Sequence, residues 1–262
     1  MATPDPSTAA PISGQATREN AGELHDGTLP KGLLQAVLWD MDGTIVDTEP
    51  YWIQAEKDLV AAHGGSWSTT QAEALVGQAL SFSAGALQEA GVALSIRDII
   101  DHLIAEVQAR VAESAPWRPG ARELLAELVA QGIPCAMVTM SEKLLADEVV
   151  RQLPPGTFDF LVTGDMVQRG KPDPEPYQLA FDALGGADGA LLKHRVVAIE
   201  DSLPGATSAE AAGLVALAVP HMGPLPTDRG WYEWPTLADR SVADLTRLVH
   251  GHRGAPVEQA AL

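Results

Sequence analysis

The sequence has little cysteine, few basic side chains and no long apolar run. Its one cysteine, Cys135, excludes an intramolecular disulfide and any metal site built from several cysteines. Lys and Arg number 17 against 35 Asp and Glu, so the formal net charge is -18. This charge argues against nucleic acid and anionic membranes as general partners, because both would be repelled. No apolar run approaches the roughly 20 residues that a membrane helix needs.

The two ends of the chain differ in composition from the rest. The beginning lacks the basic and apolar stretches of a signal peptide, so we expect a cytoplasmic protein. Residues 1–30 are rich in Ala, Pro, Thr, Ser and Gly without apolar periodicity, which predicts a disordered tail. Residues 251–262 are again small and polar, and we expect a flexible tail there. The remainder is long enough to bury a sizeable core.

Between these ends, short apolar runs alternate with stretches of helical periodicity. The runs are typical of strands buried on both faces of a parallel sheet. They cover residues 36–39, 133–138, 158–162, 196–199 and 214–219. Helices are predicted over 121–129, over 142–153 with Ser141 as N-cap, and over 204–212. This alternation predicts an α/β fold with a doubly wound parallel sheet.

One interval interrupts the alternation. Residues 40–132 separate the first predicted strand from the second, which is too long for a simple crossover. Four stretches within it have helical periodicity and none is a good strand: 51–63, 68–77, 82–90 and 95–115. The sequence therefore predicts a core domain over 31–49 and 117–250, with a helical cap inserted over 50–116.

The first apolar run leads directly into Asp-Met-Asp-Gly-Thr at residues 40–44. Open α/β sheets bind ligands at the carboxyl ends of their strands. Two carboxylates at this spacing can share a divalent cation while one acts as a nucleophile. Alone, the motif also fits a structural turn. An EF-hand loop is excluded, because Ile45 and Val46 stand where further oxygen ligands would be needed.

Three further strand ends carry polar side chains: Thr139 with Ser141, Lys171, and Glu200 with Asp201. Each has an ordinary alternative, namely a helix cap, a solvated loop lysine and a turn. A doubly wound sheet would bring all of these strand ends together. Acid pairs with a hydroxyl and a lysine are the groups that Mg²⁺-assisted phosphoryl transfer requires.

Three motifs, together with Thr139, give the chain a family resemblance over about residues 33–250. They are Asp-Met-Asp-Gly-Thr followed by Val-Asp-Thr-Glu-Pro, Gly-Lys-Pro-Asp-Pro-Glu-Pro-Tyr at 170–177, and Ile-Glu-Asp-Ser-Leu-Pro-Gly at 199–205. In this order the sequence resembles the haloacid dehalogenase superfamily. The resemblance implies a Rossmann-like core and a subclass I cap. Within the superfamily it points to β-phosphoglucomutase, phosphoglycolate phosphatase and small sugar-phosphate phosphatases.

The resemblance also implies roles for individual residues. Asp40 would attack phosphorus and form an aspartyl-phosphate. Asp42 would protonate the leaving oxygen and then deprotonate the attacking water. Thr139 would hydrogen-bond a phosphoryl oxygen, and Lys171 would hold the negative charge of the phosphate and Asp40 together. An acid at Asp42 also favours phosphate esters over halogenated substrates.

Magnesium is the cofactor that the resemblance implies. Asp40, the Asp42 carbonyl and Asp201 would hold it, with Glu200 as a direct or water-mediated neighbour. Met140 departs from the Asn or Ser that is frequent in the family. We expect metal binding to create the anion site, because the acids there outnumber the lysine. Candidate substrate- or phosphate-binding residues are Gly43, Thr44, Thr139, Met140, Ser141, Lys171, Glu49 and Gln78.

Three functions remain open at this point. The first is a Mg²⁺-dependent phosphatase of a small phosphorylated metabolite, acting as a monomer or homodimer. The second is a phosphomutase, and the third is a non-catalytic phospholigand-binding regulator. The loop at 76–81 carries no basic residue to grip a second phosphate. It therefore favours a monophosphorylated substrate with a neutral or apolar remainder over the mutase.

Overall fold

The computed structural model describes residues 32–75 and 80–252. The predicted N-terminal tail, the candidate Gln78 and the chain beyond residue 252 lie outside these ranges. Within them, no helix combines the length and the apolar character needed to cross a membrane.

A six-stranded parallel sheet forms the centre of the fold, in the order β3-β2-β1-β4-β5-β6. All five predicted strands are present, and the two-residue β6 was not predicted. The strands are β1 (Ala36–Trp39), β2 (Cys135–Val138), β3 (Phe160–Val162), β4 (Val196–Glu200), β5 (Val215–Ala218) and β6 (Tyr232–Glu233). The Rossmann-like α/β fold class is therefore confirmed.

Helices cover both faces of the sheet. Five of them lie between β1 and β2: the four that were predicted for the inserted segment and the one predicted over 121–129. The helices are α1 (Glu49–Ala62), α2 (Thr69–Glu73), α3 (Leu80–Glu89), α4 (Ile96–Glu113), α5 (Ala121–Ala130), α6 (Lys143–Arg151), α7 (Glu175–Phe181), α8 (Leu203–Ala211) and α9 (Val242–Gly251).

The continuous apolar runs follow from burial of the strands on both faces. In β1, Val37 and Trp39 join a cluster that includes side chains of α1, α3, α4, α5 and α6. Ala36 and Leu38 point to the other face, where α7 and α8 pack. Because successive side chains of a strand alternate between faces, both sets must be apolar.

The strand order places a topological switch point at β1. The chain continues from β1 to β2 on one side, whereas β4 lies on the other. Ligands of open α/β sheets bind outside the carboxyl ends of the strands at such a point. The backbone N–H of Asp40 donates to the Ile199 carbonyl over 3.0 Å. This bond aligns the carboxyl ends of β1 and β4.

The inserted helices contact the core through α6. Arg97 of α4 bonds to Glu142 just before α6, with a 2.7 Å separation between Arg97 Nη1 and Glu142 Oε1. Gln152 Nε2, just after α6, donates to the Val111 carbonyl over 2.7 Å. One apolar cluster also spans the inserted helices and one face of the sheet. The division into a core and a cap at residues 50–116 stays a prediction.

Two local predictions need correction. Ser141 is not the N-cap of α6, because Glu142 occupies that position and the Ser141 hydroxyl donates to Asp42 instead. The C-terminal tail was expected to begin at Gly251, but α9 includes that residue. This helix begins with a capping box between Ser241 and Asp244, in which each side chain bonds the other's backbone N–H.

Candidate active site

Asp40 and Lys171 form a buried ion pair at the carboxyl end of β1. Lys171 Nζ lies 2.6 Å from Asp40 Oδ1 and 2.6 Å from Glu200 Oε1, and it donates to the Val138 carbonyl over 2.8 Å. The three protons of the ammonium group therefore have three acceptors. Burial lowers the pKa of Lys171, but the two carboxylates outweigh burial and leave this pKa above its ordinary value. Lys171 is held as a cation.

One oxygen of Asp40 remains available. Asp40 is 6% exposed, and its Oδ2 has no hydrogen-bond partner in the described ranges. Burial, together with repulsion from Glu200, raises the pKa of Asp40 to about 7 despite the opposing effect of Lys171. A buried oxygen without a partner is costly, so it indicates a group that the protein alone does not supply.

Glu200 is fixed by groups from α7 and from the start of α8. The Tyr177 hydroxyl of α7 donates to Glu200 Oε1 over 2.6 Å, and the Ser202 hydroxyl donates to Oε2 over 3.3 Å. A Cβ atom at Gly205 would lie 1.8 Å from Glu200 Oε2. The glycine at the start of α8 is thus required for the carboxylate to fit. Glu200 is completely buried and does not line the cavity described below.

Asp201 lies against the turn that follows β1. Gly43 has a φ of +85°, and a Cβ there would lie 2.1 Å from Asp201 Oδ2. The Asp-x-Asp-Gly motif therefore needs glycine for its backbone conformation and for the approach of Asp201. Burial and repulsion from Asp40 hold the pKa of Asp201 well above its ordinary value.

Three carboxylates at these strand ends form a cluster suited to a cation. Asp40, Glu200 and Asp201 each place an oxygen within 4.8 Å of the others. Hard oxygen ligands suit a hard divalent cation. The raised pKa values of Asp40 and Asp201 are consistent with a missing positive charge. The residues present therefore fit a divalent metal.

Asp42 is oriented by three hydroxyl groups. Thr48 Oγ1 donates to its Oδ1, while Thr139 Oγ1 and Ser141 Oγ donate to its Oδ2 over 3.1 and 2.7 Å. Thr139 is fully buried, and its Oγ1 also accepts the N–H of Ser141. Sequence reasoning missed the contact of Thr48, although this residue lies within the Val-Asp-Thr-Glu-Pro motif.

Met140 supports the backbone that carries Lys171. Its Sδ lies 3.3 Å from the Lys171 nitrogen and accepts that N–H. A Cβ at Gly170 would lie 2.8 Å from the same sulfur, and one at Gly164 would lie 2.1 Å from the Met140 carbonyl oxygen. The two glycines thus allow neighbouring loops to approach Met140 closely. Its thioether accepts a hydrogen bond at the edge of the site, although it cannot donate one to a phosphate.

A cavity of about 470 Å³ opens above these strand ends. Most of the predicted site residues line it, together with side chains that sequence reasoning did not select. The predicted ones are Asp40, Asp42, Gly43, Glu49, Thr139, Met140, Ser141, Lys171 and Asp201. Thr44 is buried and does not line the cavity. Glu56 and His221 line it without having been predicted.

Neither Glu56 nor His221 lies in a recognisable sequence motif. Glu56 lies in the middle of α1. His221 follows β5 and lies 2.9 Å from Asp47, measured from Nε2 to Oδ1. Tyr177, which bonds Glu200, ends the motif at 170–177, so its position in that motif was a usable signal.

The parallel sheet and the acid–lysine cluster at its switch point define a Rossmann-like α/β enzyme. The family model for haloacid dehalogenase-like hydrolases matches residues 34–213. The chain belongs to this family of hydrolases, as the motif resemblance predicted.

Several curated relatives are named phosphatases. The chain is 32% identical over 186 residues to a phosphorylated carbohydrates phosphatase of Thermotoga maritima, covering 69% of this chain and 82% of that protein. It is 34% identical over 193 residues to an N-acetylmuramic acid 6-phosphate phosphatase of Pseudomonas aeruginosa, covering 71% and 81%.

Among solved structures, CbbY of Rhodobacter sphaeroides in complex with phosphate superposes with a TM-score of 0.70 at 27% identity. The match covers 81% of this chain and 99% of that one. These similarities support a phosphatase function.

Proposed function

We propose that the protein is a Mg²⁺-dependent phosphatase that hydrolyses a small sugar-type phosphate monoester through an aspartyl-phosphate. The observation that carries this proposal is the state of Asp40. Lys171 fixes its Oδ1, whereas its Oδ2 is buried, unpartnered among the described residues and adjacent to the cavity. A carboxylate so fixed is a pre-oriented nucleophile.

In the first half of the reaction, Asp40 Oδ2 attacks phosphorus and the bond to the alcohol oxygen breaks. Asp42 gives its proton to the departing oxygen. In the second half, Asp42 takes a proton from water, which attacks the aspartyl-phosphate and releases inorganic phosphate and the free Asp40 carboxylate. Thr48, Thr139 and Ser141 orient Asp42 for both proton transfers.

Lys171 supplies positive charge in the site, and a bound metal would add to it. Mg²⁺, held by Asp40, the Asp42 carbonyl and Asp201 with Glu200 nearby, would supply the charge that offsets the carboxylates and the phosphate. Lys171 bridges Asp40 and Glu200, so it keeps the nucleophile in place while negative charge develops on the phosphoryl group. Tyr177 acts through Glu200 as a positioning residue.

The cavity lining favours hydrolysis over the mutase alternative. Among the lining residues within the described ranges, the basic side chains are Lys171 and His221. Lys171 is bound to two carboxylates, and His221 lies against Asp47. A bisphosphate would need a second cationic site, which this lining does not provide. A non-catalytic regulator is not supported, because the chain belongs to a hydrolase family. A cytoplasmic location and a monomeric or homodimeric state remain proposals.

A phosphate-release assay over sugar, glycolate and nucleotide monophosphates tests the proposal. With Mg²⁺, we expect the wild-type chain to release phosphate from at least one sugar phosphate, and a chelator should abolish the release. Asp40→Asn should lower kcat by about 10⁴-fold or more, because the nucleophile is lost. Release that survives chelation or Asp40→Asn would overturn the mechanism. Activator-dependent conversion of β-glucose 1-phosphate to the 6-phosphate, faster than phosphate release, would favour the mutase.

A further inference from the structure

One wall of the cavity is formed by α1 and carries an unusual set of side chains. Glu49, Trp52 and Glu56 line the cavity, and we call these three residues the α1 wall. Their spacing of three and four residues places them on one face of the helix. The carboxylates of Asp40, Asp42 and Asp201 line the same cavity. A ligand whose phosphate lies at the strand ends therefore shares its cavity with the α1 wall.

The two carboxylates of the α1 wall form no ion pair with any residue of 32–75 or 80–252. Glu56 is 5% exposed, and its Oε2 accepts the indole N–H of Trp67 over 3.0 Å. Its other oxygen has no hydrogen bond to the rest of the described chain. The Glu49 carboxylate makes neither a hydrogen bond nor an ion pair within that part of the chain. Burial raises the pKa of both Glu49 and Glu56 to about 7, and repulsion from Asp42 adds to the effect at Glu49.

The six tryptophans of the chain fall into two groups, and Trp52 shares with Trp39 and Trp67 the lack of a nearby cation among the described residues. Three of them have an arginine guanidinium near the ring, at 4.6 to 5.6 Å from the ring centroid. These pairs are Arg122 with Trp117, Arg229 with Trp231 and Arg240 with Trp234. Within residues 32–75 and 80–252, no such cation lies over Trp52. An aromatic ring beside two unpaired carboxylates is a suitable environment for a cation.

We propose that the α1 wall selects phosphate monoesters whose alcohol part carries a protonated amine. This inference rests on the proposed phosphatase function and specifies its substrate class. An ammonium group would supply donors and positive charge to Glu49 and Glu56 and would contact the Trp52 ring. A hydroxyl group would supply no positive charge to the ionised form of either carboxylate, and a second phosphate would be repelled. The loop at 76–81 alone favoured a neutral or apolar remainder, but it does not include α1.

The test uses pairs of ω-aminoalkyl and ω-hydroxyalkyl phosphates. The two members of a pair have the same chain length, and this length increases from pair to pair. Each pair differs only in its terminal group, and the series removes any assumption about the distance from phosphate to the α1 wall. With Mg²⁺ at neutral pH, we expect kcat/KM to be about tenfold higher for the amine at one or more lengths, because hydrogen bonds to charged groups are stronger.

Two variants test whether the preference for the amine depends on the carboxylates of the α1 wall. Glu56→Gln keeps an acceptor for the Trp67 N–H, and it should bring the amine-to-hydroxyl ratio close to one. Glu49→Gln should lower the same ratio, and it provides a second test if the first variant folds poorly. Glu89→Gln removes one carboxylate from the exposed surface of α3, so it should leave the ratio unchanged.

The outcomes separate this inference from the proposed function. An amine preference that collapses in Glu56→Gln or Glu49→Gln but persists in Glu89→Gln supports the inference. Equal hydrolysis of both series by the wild-type chain overturns the inference and leaves the phosphatase intact. A preference that survives in both wall variants overturns it as well. No hydrolysis of either series by a chain that still hydrolyses a sugar phosphate overturns the inference alone. No hydrolysis of any alkyl or sugar phosphate overturns the proposed function, and the inference with it.

Discussion

The floor of the cavity (Asp40, Asp42, Lys171 and Asp201, supported by the buried Glu200 and Tyr177) and the α1 wall are both rich in carboxylates, but they differ in how these carboxylates are paired. At the floor, Lys171 binds Asp40 and Glu200, while Tyr177 completes the set around Glu200. In the wall, Glu49 has no partner among the described residues, and Glu56 has one neutral donor. The floor is thus organised before substrate arrives, whereas the wall leaves charge for a ligand to neutralise. Organisation of the reacting groups suits catalysis, and uncompensated charge suits selection.

Removing Lys171 would break the floor and should have the largest effect. In Lys171→Met, Asp40 and Glu200 remain buried without a cation. We expect kcat to fall by about 10³-fold, and the free energy of unfolding to fall by about 3–5 kcal/mol in the presence of a chelator. Urea unfolding and phosphate release measure the two effects.

A lysine elsewhere provides the control for that loss. Lys143 pairs with Asp147 on the exposed surface of α6, with both side chains at least 50% exposed. Lys143→Met should cost less than about 1 kcal/mol, because exposed ion pairs contribute little. Similar losses in the two variants would contradict the view that the Lys171 cluster is a buried and interdependent set.

How far the sequence predicts this molecule depends on the kind of interaction. The strands and the floor follow from local pattern, because β1 runs directly into its acid motif and parallel strand ends meet at one edge. Glu56 was not predicted, since a glutamate in the middle of a helical stretch is ordinarily solvated. Its burial depends on packing across the inserted helices and on Trp67, which lies eleven residues further along the chain. Ser141 was predicted as a cap because its position before a helix is typical of one, but Asp42 lies close enough to accept its hydroxyl.

Glu56→Gln tests whether the α1 wall holds an uncompensated carboxylate, through the pH dependence of the free energy of unfolding. The folded chain raises the pKa of Glu56 from 4.5 to about 7, so it binds the proton more tightly than the unfolded chain does. The resulting stability is complete below 4.5 and is lost as the pH rises through about 7. Glutamine does not titrate. We therefore expect Glu56→Gln to gain about 1–2 kcal/mol relative to the wild type between about pH 5 and about pH 8.

Urea unfolding across this pH range measures that gain. Glu89→Gln supplies the baseline, because its carboxylate is exposed on α3 and should change stability little at any pH. A wild-type curve parallel to that of Glu56→Gln would mean that the Glu56 carboxylate is solvated in the folded chain. The α1 wall would then carry no uncompensated charge at that residue.

The smallest expected effect concerns the backbone that carries Lys171 rather than the charged groups of the floor. Met140→Leu keeps most of the side-chain volume but removes the sulfur that accepts the Lys171 N–H. Because this sulfur bond is weak, we expect kcat/KM to fall by only about two- to threefold, with little change in melting temperature. Met166→Leu, at a methionine that is 44% exposed, is the matched control. If kcat/KM is the same in both variants, the position of Lys171 depends on its three ammonium contacts alone. A loss confined to Met140→Leu would mean that the backbone carrying Lys171 must also be held for the floor to stay organised.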